Sequence, residues 1–216
     1  MLLDSLEWLG HSGFRIRAGR ALIYIDPYRV AESAPPADLI LVTHGHYDHF
    51  SPQDVERLTK RETWLVGPAA VAERVSGRVH SIAPGEMLDD ELVRGVHVSA
   101  VAAYNTSKRD ADGRPFHPRE AGWVGYEVNV QGERLYHSGD TDVIPEMDSV
   151  TGVDVALLPV SGVYVMTAEE AAEAARRIQP RVAVPMHWGE QIGSEDDARR
   201  FAERAGVAVR ILPRVA

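Results

Sequence analysis

Cysteine is absent from this 216-residue chain, which excludes a disulfide framework and any thiolate metal site. Long apolar runs are missing too, none approaching the roughly 20 residues of a membrane helix. Basic side chains are in deficit, 23 Lys and Arg against 32 Asp and Glu, for a formal net charge of −9. That balance disfavours broad attraction to nucleic acid or to an anionic membrane surface. The opening stretch MLLDSLEWLGHSGFR carries Asp4 and Glu7 and lacks the basic start and unbroken apolar core of a signal peptide. A single domain over residues 1–216, located in the cytoplasm, is the expectation.

The chain does hold an ordinary globular composition, 44% hydrophobic and 25% charged. LEWL, FRIRA and ALIYI alternate in polarity between Gly-centred turns, as a β-meander does. DLILVT is more continuously apolar, the pattern of a strand covered on both faces. SPQDVERLTK follows, with Ser51 as N-cap, Pro52 at the first helical position and Asp54 completing the cap signal. TWLVG, RVHSI, GVHVSAVAAY, GWVGYEVNV, ERLYHSGD, VDVALLPV, RVAVPM and VAVRIL read as further strands. PAAVAERV is helix-like, and TAEEAAEAARRIQ and SEDDARRFAERAG each open with a capping box, Thr167 with Glu170 and Ser194 with Asp197. The polar segment from Asn105 to Ala121 is unusually long for a loop within a compact domain, and such loops often carry function. Strand-rich segments with helices in both halves fit two packed sheets with helices outside.

Between DLILV and the helix lies THGHYDHF, which places His44, His46, Asp48 and His49 in six consecutive positions. A lone histidine in such a loop is more often a strand or helix cap; a third of the chain's nine histidines together is another matter. Imidazole nitrogen and carboxylate oxygen are the donors that borderline divalent ions accept when thiolate is absent. His44 and His46 can point to one side while Asp48 and His49 reach another, giving two ligand pairs for two adjacent ions. Further donors are expected where other strands run out. Asp140 in YHSGDTD and His187 in VAVPMHWG occupy that place.

These motifs resemble those of the metallo-β-lactamase superfamily. HGHYDH matches its His-x-His-x-Asp-His signature, and YIDPY with Asp26, HSGDT with Asp140 and PMHWG with His187 match its later motifs in order. The resemblance implies an α/β (α+β) fold, a four-layer αββα sandwich of two mixed β-sheets with a dinuclear site at one edge. It implies His44 and His46 on the first metal, Asp48, His49 and His187 on the second, Asp140 bridging, and Asp26 hydrogen-bonded behind a ligand. The first metal usually takes a third histidine near the end of the strand before the long loop, where Asn105 stands. His117, reaching in from that loop, is the expected replacement, with Asn105 as competitor. Two divalent ions follow, Zn2+ first, with Mn2+ or Fe2+ as alternatives.

Two such ions lower the pKa of a shared water enough to supply hydroxide at neutral pH. The implied activity is metal-dependent hydrolysis of an ester-type bond, with Asp48 or Asp140 shuttling the proton. Within the superfamily, GDTD, PVSGVYVMTAEEA and PMHWG look most like the small hydrolases related to ascorbate-6-phosphate lactonase, which points to a lactone, with a phosphodiester as the other choice. An iron-dependent oxidoreductase of the same fold and a non-catalytic metal-binding protein are the competing classes. A small-molecule substrate is expected, with an anionic one open, alongside no nucleic-acid or membrane partner and an open question of homo-oligomerisation.

Other residues divide less sharply. His11 in the first turn is equally a substrate contact or a plain turn histidine. His137 reads as structural or as a partner behind a ligand, and His80 and His97 as solvent-facing. Tyr104, Trp123, Tyr164 and Trp188 fall near the proposed loops and offer pocket walls. Lys108, Arg109, Arg114 and Arg119 in the long loop either recognise an anionic group or form a solvated surface balanced by Asp110, Asp112 and Glu120.

Overall fold

Residues 2–88, 92–189 and 192–215 are described in a computed structural model of the chain. The N-terminal meander forms as its alternation dictates: β1 (Leu6–Gly10), β2 (Gly13–Ala18) and β3 (Ala21–Ile25) pair antiparallel. In β2, Phe14 and Ile16 turn inward while Arg15 and Arg17 turn out. The chain then continues parallel through β4 (Leu39–Leu41), β5 (Trp64–Gly67) and β6 (Arg78–Ser81), so one mixed sheet runs β1 to β6 in order. The second sheet holds β7 (Met87–Leu88), β8 (Val96–Ala102), β9 (Val124–Val130) and β10 (Glu133–His137) in antiparallel pairs. It goes on in parallel with β11 (Val155–Pro159), β12 (Val182–Met186) and β13 (Ala208–Val209).

Period-two sorting separates the layers. Leu39 and Leu41 of β4 join Phe14, Ile16, Val66, Val98, Val128 and Leu135 between the sheets. Their neighbours Ile40 and Val42 turn to the opposite face, where Tyr24 and Leu65 meet Val55 and Leu58 of α1 (Pro52–Leu58) and Val71 of α2 (Ala69–Ala72). Across the molecule, α3 (Ala168–Ile178) packs on β11 and α4 (Glu195–Arg204) on β12. This is the expected αββα order. The Ser51 cap and both capping boxes form as read from the sequence.

Two elements are shorter than their sequence patterns. PAAVAERV holds a helix only over Ala69–Ala72, because the chain must tighten into i to i+3 bonds and turn to enter β6 at Arg78. VAVRIL pairs only at Ala208–Val209, as the last strand beside β12. Among the described residues no helix is long and apolar enough to cross a membrane. His80 and His97 are exposed, as expected.

Candidate metal centre

The site forms where strands of both sheets run out. Asp26 follows β3, the His44–His49 loop links β4 to α1, Asp140 follows β10 and His187 follows β12. His11 lies in the turn between β1 and β2. Three of these residues have left-handed backbones: His11 at φ 51°, Asp26 at φ 46° and His187 at φ 58°. Such conformations cost of order 1–3 kcal/mol at a non-glycine residue and persist where surrounding contacts over-determine them. Here the His11 carbonyl accepts from the His187 N–H at 2.9 Å and from the Trp8 indole at 2.9 Å. The first turn and the end of β12 are thereby fastened together.

Asp140 sits at the middle. Its Oδ2 is 3.2 Å from His117 Nε2, 3.3 Å from His187 Nε2 and 4.0 Å from His44 Nε2. Its Oδ1 is 3.3 Å from His49 Nε2. The turn that delivers it requires Gly139, where φ is 63° and a Cβ would lie 2.8 Å from the Val124 carbonyl. His137 holds this turn, accepting from the Gly139 N–H at 3.1 Å and donating to the Ser12 carbonyl at 2.9 Å. The structural reading of His137 fits this arrangement.

The donors fall into two groups on either side of Asp140. In one, ligand atoms of His44, His46 and His117 lie within 4.8 Å of one another; in the other, those of His11, Asp48, His49 and His187 do. In the first, His44 Nε2 and His46 Nδ1 face each other at 3.1 Å. Trp123 packs against all three rings, with centroids 4.9 Å from His44, 4.8 Å from His46 and 5.5 Å from His117. In the second, His11 Nε2 meets Asp48 Oδ2 at 3.0 Å and the His11 and His187 rings lie 4.0 Å apart.

Partners behind the imidazoles fix which nitrogen faces inward. The Asp26 carboxylate accepts from the Thr43 N–H at Oδ1 and from the Thr43 hydroxyl at Oδ2, both at 2.7 Å, and, as an acceptor only, takes the His49 Nδ1–H at Oδ2, 2.7 Å away. Because the Thr43 hydroxyl proton goes to Asp26, its oxygen accepts from His44 Nδ1–H at 3.0 Å. Asn105 Oδ1 accepts from the His117 N–H and from His117 Nδ1–H, both at 2.9 Å. Its amide donates to Asp142 Oδ1 at 3.2 Å and to the Tyr164 carbonyl at 3.0 Å. The Asn105 carbonyl is thus committed to orienting His117, which is the residue placed in the first group. Ser161 Oγ meets His187 Nδ1 at 2.9 Å.

Asp142 is the organising residue that sequence reading left unassigned. Its Oδ2 accepts from the backbone N–H groups of Thr106 at 2.8 Å and Ser107 at 2.7 Å and from both their hydroxyls, so the long loop is bound at its root. The loop is further ordered by a bridge between Arg109 and Pro115 and a 3-10 turn over Arg119–Ala121. Its cations are engaged elsewhere. Lys108 bonds Glu170 at 2.7 and 2.6 Å, Arg119 bonds Glu146 at 2.8 Å and Arg109 donates to the Gly113 carbonyl at 2.8 Å. Of the four candidate wall aromatics, Trp123 and Tyr164 reach the site, whereas Trp188 stacks on Trp8 at 4.6 Å and Tyr104 bonds Glu146 at 3.0 Å.

The electrostatics differ between the groups. Burial pushes the His44 imidazole well below its ordinary range, and His46 is lowered by burial and by His117. Burial lowers His49 as well, but Asp140 and Asp26 more than reverse it and hold that imidazole well above the ordinary range. Burial raises the Asp140 carboxyl, yet His187 and His49 bring it far down. Asp48 is likewise raised by burial and brought back by the His11 hydrogen bond, to about 2.

The donor set suits a borderline divalent ion. Among the described residues, the buried side-chain atoms without a hydrogen-bond partner include His49 Nε2, His117 Nε2 and Asp140 Oδ1. Leaving such atoms unpaired is costly, and a cation among them supplies the missing partner. A cleft of about 240 Å³ opens over the groups, lined by Tyr47, Phe116 and Tyr164 as well as His46, Asp48, His117, Asp140 and His187.

Comparison with known proteins agrees with this reading. The family model described as a β-lactamase superfamily domain matches residues 5–187. A metal-dependent hydrolase from Methanopyrus kandleri is 32% identical over 224 residues, spanning 96% of this chain and 95% of that protein. A crystal structure from Parabacteroides distasonis, described as a metal-dependent hydrolase, superposes with a TM-score of 0.84 at 29% identity over 98% of this chain and 93% of that one. A metallo hydrolase from Ignicoccus hospitalis shares the fold, with a TM-score of 0.78 at 22% identity over 98% of this chain and 95% of its own.

Proposed function

This chain belongs to the β-lactamase superfamily and to its metal-dependent hydrolases, and we propose that it cleaves an ester-type bond, in a lactone or a phosphodiester, using two divalent ions bridged by Asp140. The observation that carries this reading is the Asp140 carboxylate, which faces His117 and His187 with one oxygen and His49 with the other. His44, His46 and His117 would hold one ion. Asp48, His49 and His187 would hold the other, with His11 beside them. Zinc suits four-coordinate imidazole and carboxylate sets, and Mn2+ or Fe2+ would be accepted by the same donors.

When bound, such a pair of ions supplies an activated water and electrophilic pull on the substrate oxygen. The chain's own contribution is orientation and proton handling. Asp26, Thr43 and Asn105 keep the Nδ1 positions of His49, His44 and His117 occupied, which leaves each Nε2 turned toward Asp140. Trp123 packs its ring against His44, with centroids 4.9 Å apart. Asp140 is 4% exposed and enclosed by imidazoles, while Asp48 is 19% exposed and lines the cleft. Of the two carboxylates named for proton transfer, Asp48 is therefore the one assigned it, with His11 Nε2, 3.0 Å from Oδ2, holding it in place.

The test is hydrolysis by the metal-loaded protein of a panel of lactones and phosphodiesters, before and after chelation and re-addition of one ion. Turnover that chelation abolishes and a divalent ion restores supports the reading. A fully loaded protein inert across the panel, or one that consumes oxygen with iron instead, contradicts it.

A further inference from the structure

The walls of the cleft differ in kind from its floor. Donor groups occupy the floor, whereas Tyr47, Phe116 and Tyr164 rise around it, and no Lys or Arg lines it among the described residues. Phe116 and Tyr164 meet edge to face at 4.8 Å on one bank, and Tyr28 and Tyr47 meet at 6.0 Å on the other. Exposed large apolar side chains are few in this molecule. Tyr47, 64% exposed, and Tyr164, 41% exposed, are among them and line the cleft, and Val163 adjoins Tyr164 in the chain. An apolar surface concentrated at one mouth marks a binding site rather than an accident of composition.

The long-loop cations that would recognise a remote anion are engaged by acidic side chains. Lys108 is committed to Glu170, Arg119 to Glu146, and Arg114 faces Asp112 at 3.8 Å on the far side of the loop. Arg29 lies over the Tyr28 ring, at the outer edge of the Tyr47 bank, and lines a neighbouring cavity with Arg15 and Arg214 rather than the cleft itself. A phosphate or carboxylate buried between Tyr47 and the Phe116–Tyr164 pair would therefore lie against aromatic rings with no Lys or Arg among the described lining residues, which is unfavourable.

We propose that the substrate is an uncharged carboxylic ester or lactone with an aryl or medium-length alkyl body, bound with its carbonyl over the Asp140 floor and its apolar body between Tyr47 and the Phe116–Tyr164 pair. This deepens the hydrolase reading and rests on it. Hydrolysis adds one water across the acyl C–O bond: the acyl carbon gains the hydroxyl, and the alkoxide oxygen leaves with a proton. The class excludes sugar-phosphate lactones and phosphodiesters as preferred substrates.

Two paired comparisons on the metal-loaded protein test it. In turnover, phenyl acetate is set against 4-acetoxybenzoate, which adds only a carboxylate, and δ-hexalactone against δ-decalactone, which adds only alkyl length. The neutral ester and the longer lactone are expected to show the higher kcat/KM, by about tenfold or more, the scale of a few methylenes in an apolar pocket. In binding, measured calorimetrically without turnover, benzohydroxamate is set against 4-carboxybenzohydroxamate and acetohydroxamate. Benzohydroxamate should bind tightest, and Tyr164→Ala and Phe116→Ala should collapse the benzohydroxamate-to-acetohydroxamate affinity ratio towards one. Equal or tighter binding of the carboxylated probe, no binding of benzohydroxamate, or a ratio indifferent to both variants overturns the proposal. If the binding preference holds while no ester or lactone is turned over, the cleft assignment stands and the hydrolase reading fails.

Discussion

The two donor groups flanking Asp140 are built on different principles. The group of His44, His46 and His117 is all imidazole, roofed by Trp123, and burial keeps His44 and His46 inclined to neutrality. The group of His11, Asp48, His49 and His187 mixes carboxylate with imidazole, lies against Asp26, and holds His49 strongly basic. His44 and His46 are held toward the neutral form, whereas a cation in the other group would have to displace a proton held on His49. The lesson is that donor groups a few ångströms apart, on either side of Asp140, would differ in how tightly cation binding is coupled to pH.

The comparison breaks most completely at the shared residue. Asp140→Ala should empty both groups and remove activity by far more than the roughly 10- to 100-fold typical of partners behind a ligand. Metal content and kcat/KM together check this. Next in size, His117→Ala should lower occupancy selectively on the Trp123 side, while His11→Ala should act only on the Asp48 side and more weakly, since Asp48, His49 and His187 remain there. Trp123 fluorescence during metal titration separates the two, because its ring touches only the first group. Unchanged metal content in His117→Ala would remove that residue from the ligand set.

Smaller effects are expected behind the ligands. Asn105→Ala frees His117 Nδ1 and Asp26→Ala frees His49 Nδ1, so each should weaken metal affinity about 10- to 100-fold on its own side. Competition with a chelator of known affinity measures both.

The smallest effects lie in the pH dependence of the metal-free protein. His44 is depressed below its ordinary 6.5, so its contribution to stability is present above that value and lost as pH falls. His49 is raised above 6.5, so its contribution is full below that value and lost as pH climbs through the raised one. His44→Gln should therefore flatten the acid limb of a Tm-against-pH curve, and His49→Gln the alkaline limb. Opposite assignments of the limbs would reverse the electrostatic distinction between the groups.

Local signals in the sequence carried the fold and much of the site. The Ser51 cap with Pro52 placed the His44–His49 loop between strand and helix, and the alternation of FRIRA and continuous burial of DLILV assigned their faces. The residues that resisted reading are those whose role depends on a distant partner. Asn105 and Asp142 are 37 positions apart and jointly root the long loop, so nothing near either one announces it. His11 reads equally as a substrate contact or a turn residue because its companion Asp48 lies 37 positions on. The loop cations read as either anion-binding or solvated, and their partners, the helix residue Glu170 beside Lys108 and the turn residue Glu146 beside Arg119, are too distant in sequence to decide it. α2 stopped early for a tertiary reason, the entry into β6, which helix propensity does not encode.

The most direct test is elemental analysis of protein purified without added metal, run beside the His117→Ala variant. Two divalent ions per wild-type chain and about one per variant chain are expected, with the remaining ion on the Asp48 side. A single ion in both proteins, or none in either, would contradict a centre of two ions bridged by Asp140.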